Sequence, residues 1–516
     1  MTPADVRDLF LGATPFAIVD PLEEGLFAET PHLLRAVNIP YGTLEGEIER
    51  RIPDRRTLIV IPHDHDGLGE DAARRIRQLG YGHIEVVRAS PQDWADAGVP
   101  LYTGFNVYSK AFGEYLEHSA QTPTLDVRDF DAAAAQRKLD LYDVRPMGEY
   151  TYETVPGARN LVGVDVGPYC LQAHDPQDEL IVHCGGRTRS IIAAETLRLL
   201  GFQNAKSLKN GTMGWSLAGR ALKFGEKAEP IVPDAGAAGA LIPKIIDRLG
   251  IDFAGLEALA RVLAGAVLPY CFDLSPSVRV LPGFIPAAGG QLIQATDSYV
   301  AVPNAPVLLH DTDDVRALVT AYWLQRMGYD AWVVKHENAD FVVTRLAQAM
   351  REAKGRTAQA GLISGMLPRS ETPERGVASV LFVDASPLRL HEFKRVEGSL
   401  HFMRRRFDWK AFTEASQGRK VVLYGSSADL CKHALRDFAE RGYDIGYTDA
   451  TVDALHEMGW AVTQGRISSG DFYPDEFVRP IERPSHREEA MAQYLAWEVE
   501  LPEKMANDQT IAFTKI

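Results

Sequence analysis

Cysteine is scarce in this chain. Cys170, Cys184, Cys271 and Cys431 are the four in 516 residues, and no two form a CxxC pair. That argues against a disulfide framework or a zinc finger, and for a reducing compartment. Positive charge is also short: 55 Lys and Arg stand against 70 Asp and Glu, a formal net charge of −15. Nucleic acid and anionic membrane are therefore not expected as main partners. No run reaches the roughly 18 apolar residues of a membrane span. The opening MTPADVRDLFLGATPF carries early acids and no long apolar core. No secretory signal is expected, and the cytoplasm is the expected location.

What is present is repetition. At roughly 100 to 200 residues per domain, the length suggests about three to five domains. One phrase returns four times: an apolar strand, a short polar loop, a helix and a Gly-aromatic pair. It reads LIVIPHDHDGLGEDAARRIRQLGY at 58–81, LIVHCGGRTRSIIAAETLRLLGF at 180–202, VLLHDTDDVRALVTAYWLQRMGY at 307–329 and VVLYGSSADLCKHALRDFAERGY at 421–443. The glycines are Gly80, Gly201, Gly328 and Gly442, spaced 121, 127 and 114 residues apart, a domain-sized period. Upstream of each phrase another apolar strand ends in Asp: Asp20, Asp143, Asp273 and Asp384. Each unit reads strand, loop, strand, loop, helix, short strand, helix. Apolar strands alternating with amphipathic helices predict parallel sheets covered on both faces. Ligands of such sheets bind at the carboxyl ends of strands, where the four polar loops lie.

The boundaries expected are 1–106, 107–228, 236–350, 360–470 and a tail, 471–516. The segments near 105–122, 228–240 and 350–376 are read as linkers. In the tail, SHREEAMAQYLAWEVELPEKMA predicts a helix with a capping box from Ser485 to Glu488. Met491, Tyr494, Leu495 and Val499 fall at helical spacing, and the helix is expected to pack on the fourth unit or on a neighbouring subunit.

One loop carries chemistry. His183-Cys184-Gly185-Gly186-Arg187-Thr188-Arg189-Ser190 places a cysteine at a strand end, before a tight loop that feeds a helix. Two glycines let successive N–H groups curl inward into an anion-binding nest, reinforced by the helix N-terminus. Arg187 and Arg189 add positive charge. Such a setting favours thiolate over thiol at Cys184 and makes it a nucleophile able to hold an anion beside it.

This loop resembles that of the rhodanese family of sulfurtransferases. The resemblance is carried by Cys184 and CGGRTRS, by DVRPMGEY (143–150) with VPGA (155–158) behind it, and by NGTMGWSLAG (210–219). A second DVR, at 126–128, has no matching strand before it. The family's usual Gly-His-Ile is Glu153-Thr154-Val155 here. The resemblance implies an α/β chain of four tandem rhodanese-like domains, each a parallel sheet flanked by helices, plus a C-terminal helical tail. It implies a sulfane sulfur taken up by Cys184 as a persulfide and passed to a thiol or cyanide. The amides of Gly185, Gly186, Arg187, Thr188, Arg189 and Ser190 would cradle it, with Arg187 helping to bind an anionic donor such as thiosulfate. Asp143 and Arg145 would support the loop. Neither metal nor organic cofactor is implied; the covalent persulfide is the intermediate. Long chains of this kind resemble bacterial proteins with one active domain, some encoded near thiol dioxygenases, which implies sulfur metabolism and a thiol-metabolism partner protein.

Phosphatases of the dual-specificity cell-cycle type share this fold, with five residues between Cys and Arg. Here Cys184 to Arg189 leaves four, which suits sulfur rather than a phosphoryl group or arsenate. The other alternative is a non-catalytic sulfur carrier or scaffold. Aligned on their Gly-aromatic pairs, the other units put His63, Asp311 and Gly425 opposite Cys184. Three roles stay open for them: shaping the mouth of the site, forming a homo-oligomer interface, or holding a partner. Cys431 is read as a packed helix residue, Cys271 as a strand residue and Cys170 as a loop residue. The stretch PHDHD, with His63, Asp64, His65 and Asp66, looks like a metal site when read alone. Its residues are adjacent on a turn, so few could converge on one ion, and no metal is expected.

Overall fold

The computed structural model describes residues 1–136, 138–229, 231, 233–276, 280–355, 379–465 and 472–515. Four parallel sheets follow one another along the chain. In each, an Asp-terminated strand pairs with the strand that feeds the polar loop. Phe16–Asp20 pairs with Leu58–Ile61, and Asp140–Asp143 with Leu180–His183. Tyr270–Asp273 pairs with Val307–His310, and Val380–Asp384 with Lys420–Tyr424. These eight strands are buried almost throughout, as continuous apolar runs between helix layers should be.

The recurring Asp has a physical reason. Its side-chain oxygen accepts the N–H two residues on, closing an Asx turn at the strand end. The bonds are Leu22 to Asp20 at 3.0 Å, Arg145 to Asp143 at 3.0 Å, Ser275 to Asp273 at 3.1 Å and Ser386 to Asp384 at 2.9 Å. The recurring Gly has one too. Gly80, Gly201, Gly328 and Gly442 have φ of 92°, 111°, 84° and 80°, the left-handed stop that ends each helix. The aromatic that follows returns its N–H to the helix five residues back, as Phe202 does to the Leu197 carbonyl at 3.0 Å.

Several expectations are corrected. The two-residue strand Thr124–Leu125 precedes the second DVR and adds a fifth strand to the second sheet. Residues 107–120 are a helix, not a linker. Its Val107, Tyr108, Ala111, Phe112 and Leu116 are buried, and it packs against the Thr188–Leu199 helix and the C-terminal helix. Of the second supposed linker, residues 235–240 open the helix Ala235–Leu249. Of the third, 350–355 end the helix Ala339–Gly355, and the rest lies outside the described residues, as do 360–378 and 466–470 of the fourth unit. Cys170 lies in the helix Val166–Ala173, not in a loop.

The C-terminal helix runs Arg487–Met505. Its N-cap is His486, in the left-handed region and without a side-chain cap bond, so the expected capping box is not what starts it. It packs on the Val107–Ala120 helix, the turn Pro480–Glu482 and the helix Gly211–Leu217, which places it at the second unit rather than on the fourth. Met491 and Leu495 are buried as expected, but Val499 is 54% exposed. The buried stripe continues instead through Glu498, Leu501 and Met505, so a charged residue stands where the apolar pattern alone would not put one. Beyond the helix, Gln509 donates its N–H to the Gly98 carbonyl at 3.0 Å and Thr514 to that of Arg326 at 2.9 Å. The tail thus ties the first and third units together.

Candidate active site

The parallel register of Leu180–His183 with Asp140–Asp143 sets His183 beside Asp143. The Cys184 loop and the DVRPMGEY turn therefore leave the sheet side by side. Asp143 and Arg145 are both buried. Arg145 Nε and Nη2 donate to the Asp143 carboxylate at 3.0 and 2.8 Å, and Nη1 donates to Glu153 Oε1 at 3.1 Å. Thr154 Oγ1 donates to Asp143 Oδ2 at 2.9 Å. Burial opposes Asp143's charge, but His183 and Arg145 hold its carboxyl below the usual range. Glu153 and Thr154 thus complete the support, and Thr212 Oγ1 adds a bond to Glu153 Oε1 at 2.9 Å.

Cys184 follows the strand and is 2% exposed. Its carbonyl accepts the N–H of Thr212 at 2.9 Å, and the Gly185 carbonyl accepts that of Met213 at 3.0 Å, clamping the loop from the NGTMGW segment. The clamp is tight: Gly211 has φ of 54°, and a Cβ there would lie 2.1 Å from the Cys184 carbonyl oxygen. The N–H groups of Gly185, Gly186 and Arg187 meet no protein acceptor among the described residues. The helix begins at Thr188, so its N-terminal partial positive charge adds to theirs. Sγ of Cys184 lies 3.6 Å from Ser190 Oγ. Ser190 donates its proton to the Arg187 carbonyl at 2.9 Å and accepts from Ser207 Oγ at 2.8 Å. The thiol is therefore the donor to Ser190.

The two arginines part company. Arg189 makes a bidentate pair with Glu149, at 2.7 and 2.9 Å, and stays next to the loop, 3.9 Å from where a Cβ on Gly185 would be. Burial opposes ionisation of Glu149, but Arg189, Arg479 and Arg145 hold its carboxyl at about 2. Arg187 is turned to the Val107–Ala120 helix. There it meets Glu114 at 2.6 and 2.8 Å, Glu117, and Asn210 Oδ1 at 3.1 Å. Two carboxylates hold its guanidinium, so in this structure it anchors the loop to that helix. Thr188 packs against Gly113 of the same helix.

The C-terminal helix closes the outer side. A Cβ on Gly186 would lie 3.1 Å from Glu498 Oε2, 3.5 Å from Tyr494 Cε1 and 3.8 Å from Leu495 Cδ2. Tyr494 donates to Glu498 Oε1 at 3.0 Å, while Glu498 Oε2 is buried without a hydrogen-bond partner among the described residues. Burial pushes the Glu498 carboxyl up to about 7. Glu114 adds to this, while Lys110, Arg187 and the Tyr494 bond oppose it. Sequence reasoning missed Glu114, Glu117, Glu149, Ser207, Tyr494 and Glu498 as site residues. Glu149 and Glu153 had a signal, since they follow Arg145 at spacings of four and eight.

The sister loops differ. Asp311 is fully buried, and its two oxygens accept the N–H groups of Asp313 at 2.8 Å and Ala317 at 2.7 Å. His63 Nε2 lies 2.9 Å from Asp20 Oδ2, and its ring is 4.1 Å from that of His65. Among the described residues no group of three or more His, Cys, Asp or Glu is arranged to hold a metal ion. Gly425 packs against Cys431, which lies in the helix Ala428–Glu440. Burial pushes the Cys431 thiol up to about 12 and also raises those of Cys170 and Cys271. All four cysteines are free. No helix among the described residues is long and apolar enough to cross a membrane.

Residues 126–218 match the family model of the rhodanese-like domain. That span runs from the second DVR to the end of the clamp helix. No curated protein sequence matches the chain. Among solved structures, a thiosulfate sulfurtransferase from Pseudomonas aeruginosa aligns over 100% of this chain and 99% of its own, at 28% identity and a TM-score of 0.82. A rhodanese-like domain of an Anabaena protein is 19% identical over 22% of this chain and 92% of its own, with a TM-score of 0.19. A human single-domain sulfurtransferase is 25% identical over 18% of this chain and 96% of its own, with a TM-score of 0.17.

Proposed function

We propose that the chain is a rhodanese-like sulfurtransferase, as the domain match over residues 126–218 supports, and that it moves a sulfane sulfur from thiosulfate, or a related donor, to a thiol or cyanide through a persulfide on Cys184. In this reading four tandem rhodanese-like domains share one reactive centre. The Cys184 thiolate attacks the outer sulfur of thiosulfate. The sulfur–sulfur bond of the donor breaks, and sulfite leaves with the electron pair. An acceptor then attacks the outer sulfur of the persulfide and returns Cys184 as thiolate. Neither step needs a metal or an organic cofactor, and a reducing cytoplasm suits a reactive thiol.

The observation that carries the reading is the open loop. The N–H groups of Gly185, Gly186 and Arg187, which follow Cys184, meet no protein acceptor among the described residues, and Arg189 supplies charge next to the loop. Donors fixed in place before the reaction stabilise charge that develops during it. Arg187, Asp143 and Arg145 hold the loop in shape. The test is steady-state thiocyanate formation from thiosulfate and cyanide. Cys184→Ser should lower it by at least about a thousandfold, since no other thiol can replace the nucleophile. Undiminished turnover in that variant would overturn the reading.

A further inference from the structure

A recess lies beside Tyr494. It is a cavity of about 260 Å³ whose walls include Phe105, Phe477, Trp497 and Tyr494 itself, with Arg483 and Glu29 at one side. Phe105 and Phe477 stack with centroids 5.4 Å apart and planes 14° from parallel, and Tyr494 and Trp497 lie 5.5 Å apart. Gly104 forms part of the lining. Its φ is 115°, and a Cβ there would strike the Trp497 ring at 2.5 Å, so the recess needs glycine at this point. Arg483 Nε has no hydrogen-bond partner among the described residues, and the Arg483 guanidinium is 3.7 Å from Glu29. The chemistry of the walls is thus aromatic with one cationic donor. Tyr494 links the recess to the Cys184 loop: its ring faces the cavity and comes within 3.5 Å of the Cβ position of Gly186.

We propose that this recess is the acceptor site, and that it takes an organic thiol with a flat apolar body and an anionic end. The body lies among the four rings, where aromatic faces favour flat partners. The anionic end meets Arg483. The sulfur reaches the loop past Tyr494. The acceptor's thiol proton passes to Glu498 Oε2, the carboxylate oxygen that has no partner among the described residues and lies beside Gly186. The acceptor sulfur bonds to the outer sulfur of the Cys184 persulfide. The Cys184 sulfur–sulfur bond breaks, and its electron pair stays on Cys184. The product is the acceptor's persulfide, and no external oxidant or reductant enters.

The inference rests on the sulfurtransferase reading, so its test uses two kinds of acceptor on the full chain. Cyanide is small enough to need no such recess. 4-Mercaptobenzoate fits the class, with thiol and carboxylate at opposite ends of its ring, and 2-mercaptoethanol lacks both ring and charge. In the wild type, the KM for 4-mercaptobenzoate should be at least about tenfold below that for 2-mercaptoethanol. Arg483→Gln and Phe477→Leu should each raise the KM for 4-mercaptobenzoate by about tenfold and leave cyanide turnover within about twofold, which also reports that the variants fold. Equal KM values for the two thiols, or variants with an unchanged KM for 4-mercaptobenzoate, would overturn the acceptor site alone. Absence of cyanide turnover in the wild type would overturn the sulfurtransferase reading and this site with it.

Discussion

The loops after Leu180–His183 and Val307–His310 share a frame. Each follows a buried strand paired in register with an Asp-terminated neighbour, and each feeds a helix that ends at a left-handed glycine. They differ in what their backbone N–H groups meet. In the second unit, those of Gly185, Gly186 and Arg187 meet no protein acceptor among the described residues. In the third, Asp311 turns its own carboxylate into the loop and takes the N–H groups of Asp313 and Ala317. The loop is open in one copy and satisfied internally in the other. Both loops also have a buried carboxyl nearby. Asp311 belongs to its loop, whereas Glu498 is brought from more than 300 residues away by the C-terminal helix. The two loops thus keep one frame, whether their N–H groups are met by a carboxylate of the loop or left open.

The larger effect that would sharpen this contrast concerns Glu498. Its carboxyl is 2% exposed, and burial raises it from 4.5 to about 7. A group that binds its proton more tightly when folded stabilises the fold at low pH and loses that contribution as pH rises from 4.5 through 7. Glu498→Gln has no such group. Relative to wild type, it should gain up to roughly 3 kcal/mol of stability between pH 5 and pH 8. Urea unfolding at the two pH values measures this. An equal pH dependence in both proteins would contradict the burial argument. A smaller effect is expected at Asp311. Asp311→Asn can still accept one of the two N–H groups but leaves the other facing an amide NH₂. The cost should be about 1–2 kcal/mol in urea unfolding, with thiocyanate formation unchanged within about twofold. A large loss of turnover would mean that the third loop takes part in the chemistry.

How much of this was legible in the sequence follows from the range of the interactions. The Asp at each first-strand end and the Gly-aromatic pair at each helix end are local devices, an Asx turn and a left-handed stop, and both mark the sequence directly. The Cys184 loop was legible for the same reason. The Val107–Ala120 helix was not, because it buries Ser109, Lys110 and Glu114 among its apolar residues and so reads as a polar connector. The anchoring of Arg187 was not legible either, since Glu114 and Glu117 come from that helix. The C-terminal helix showed its period, but not its destination. Its buried stripe includes Glu498 and omits Val499, so the hydrophobic pattern found Met491 and Leu495 but missed the charged residue among them.

The central claim is that the open loop of the second unit carries sulfur, whereas the filled loop of the third does not. The most direct measurement is the peptide mass of the full protein after incubation with thiosulfate and removal of the excess. The account predicts a gain of one sulfur atom on the peptide containing Cys184, and none on those containing Cys170, Cys271 or Cys431. An unmodified Cys184 peptide, or sulfur found on another cysteine instead, would contradict it.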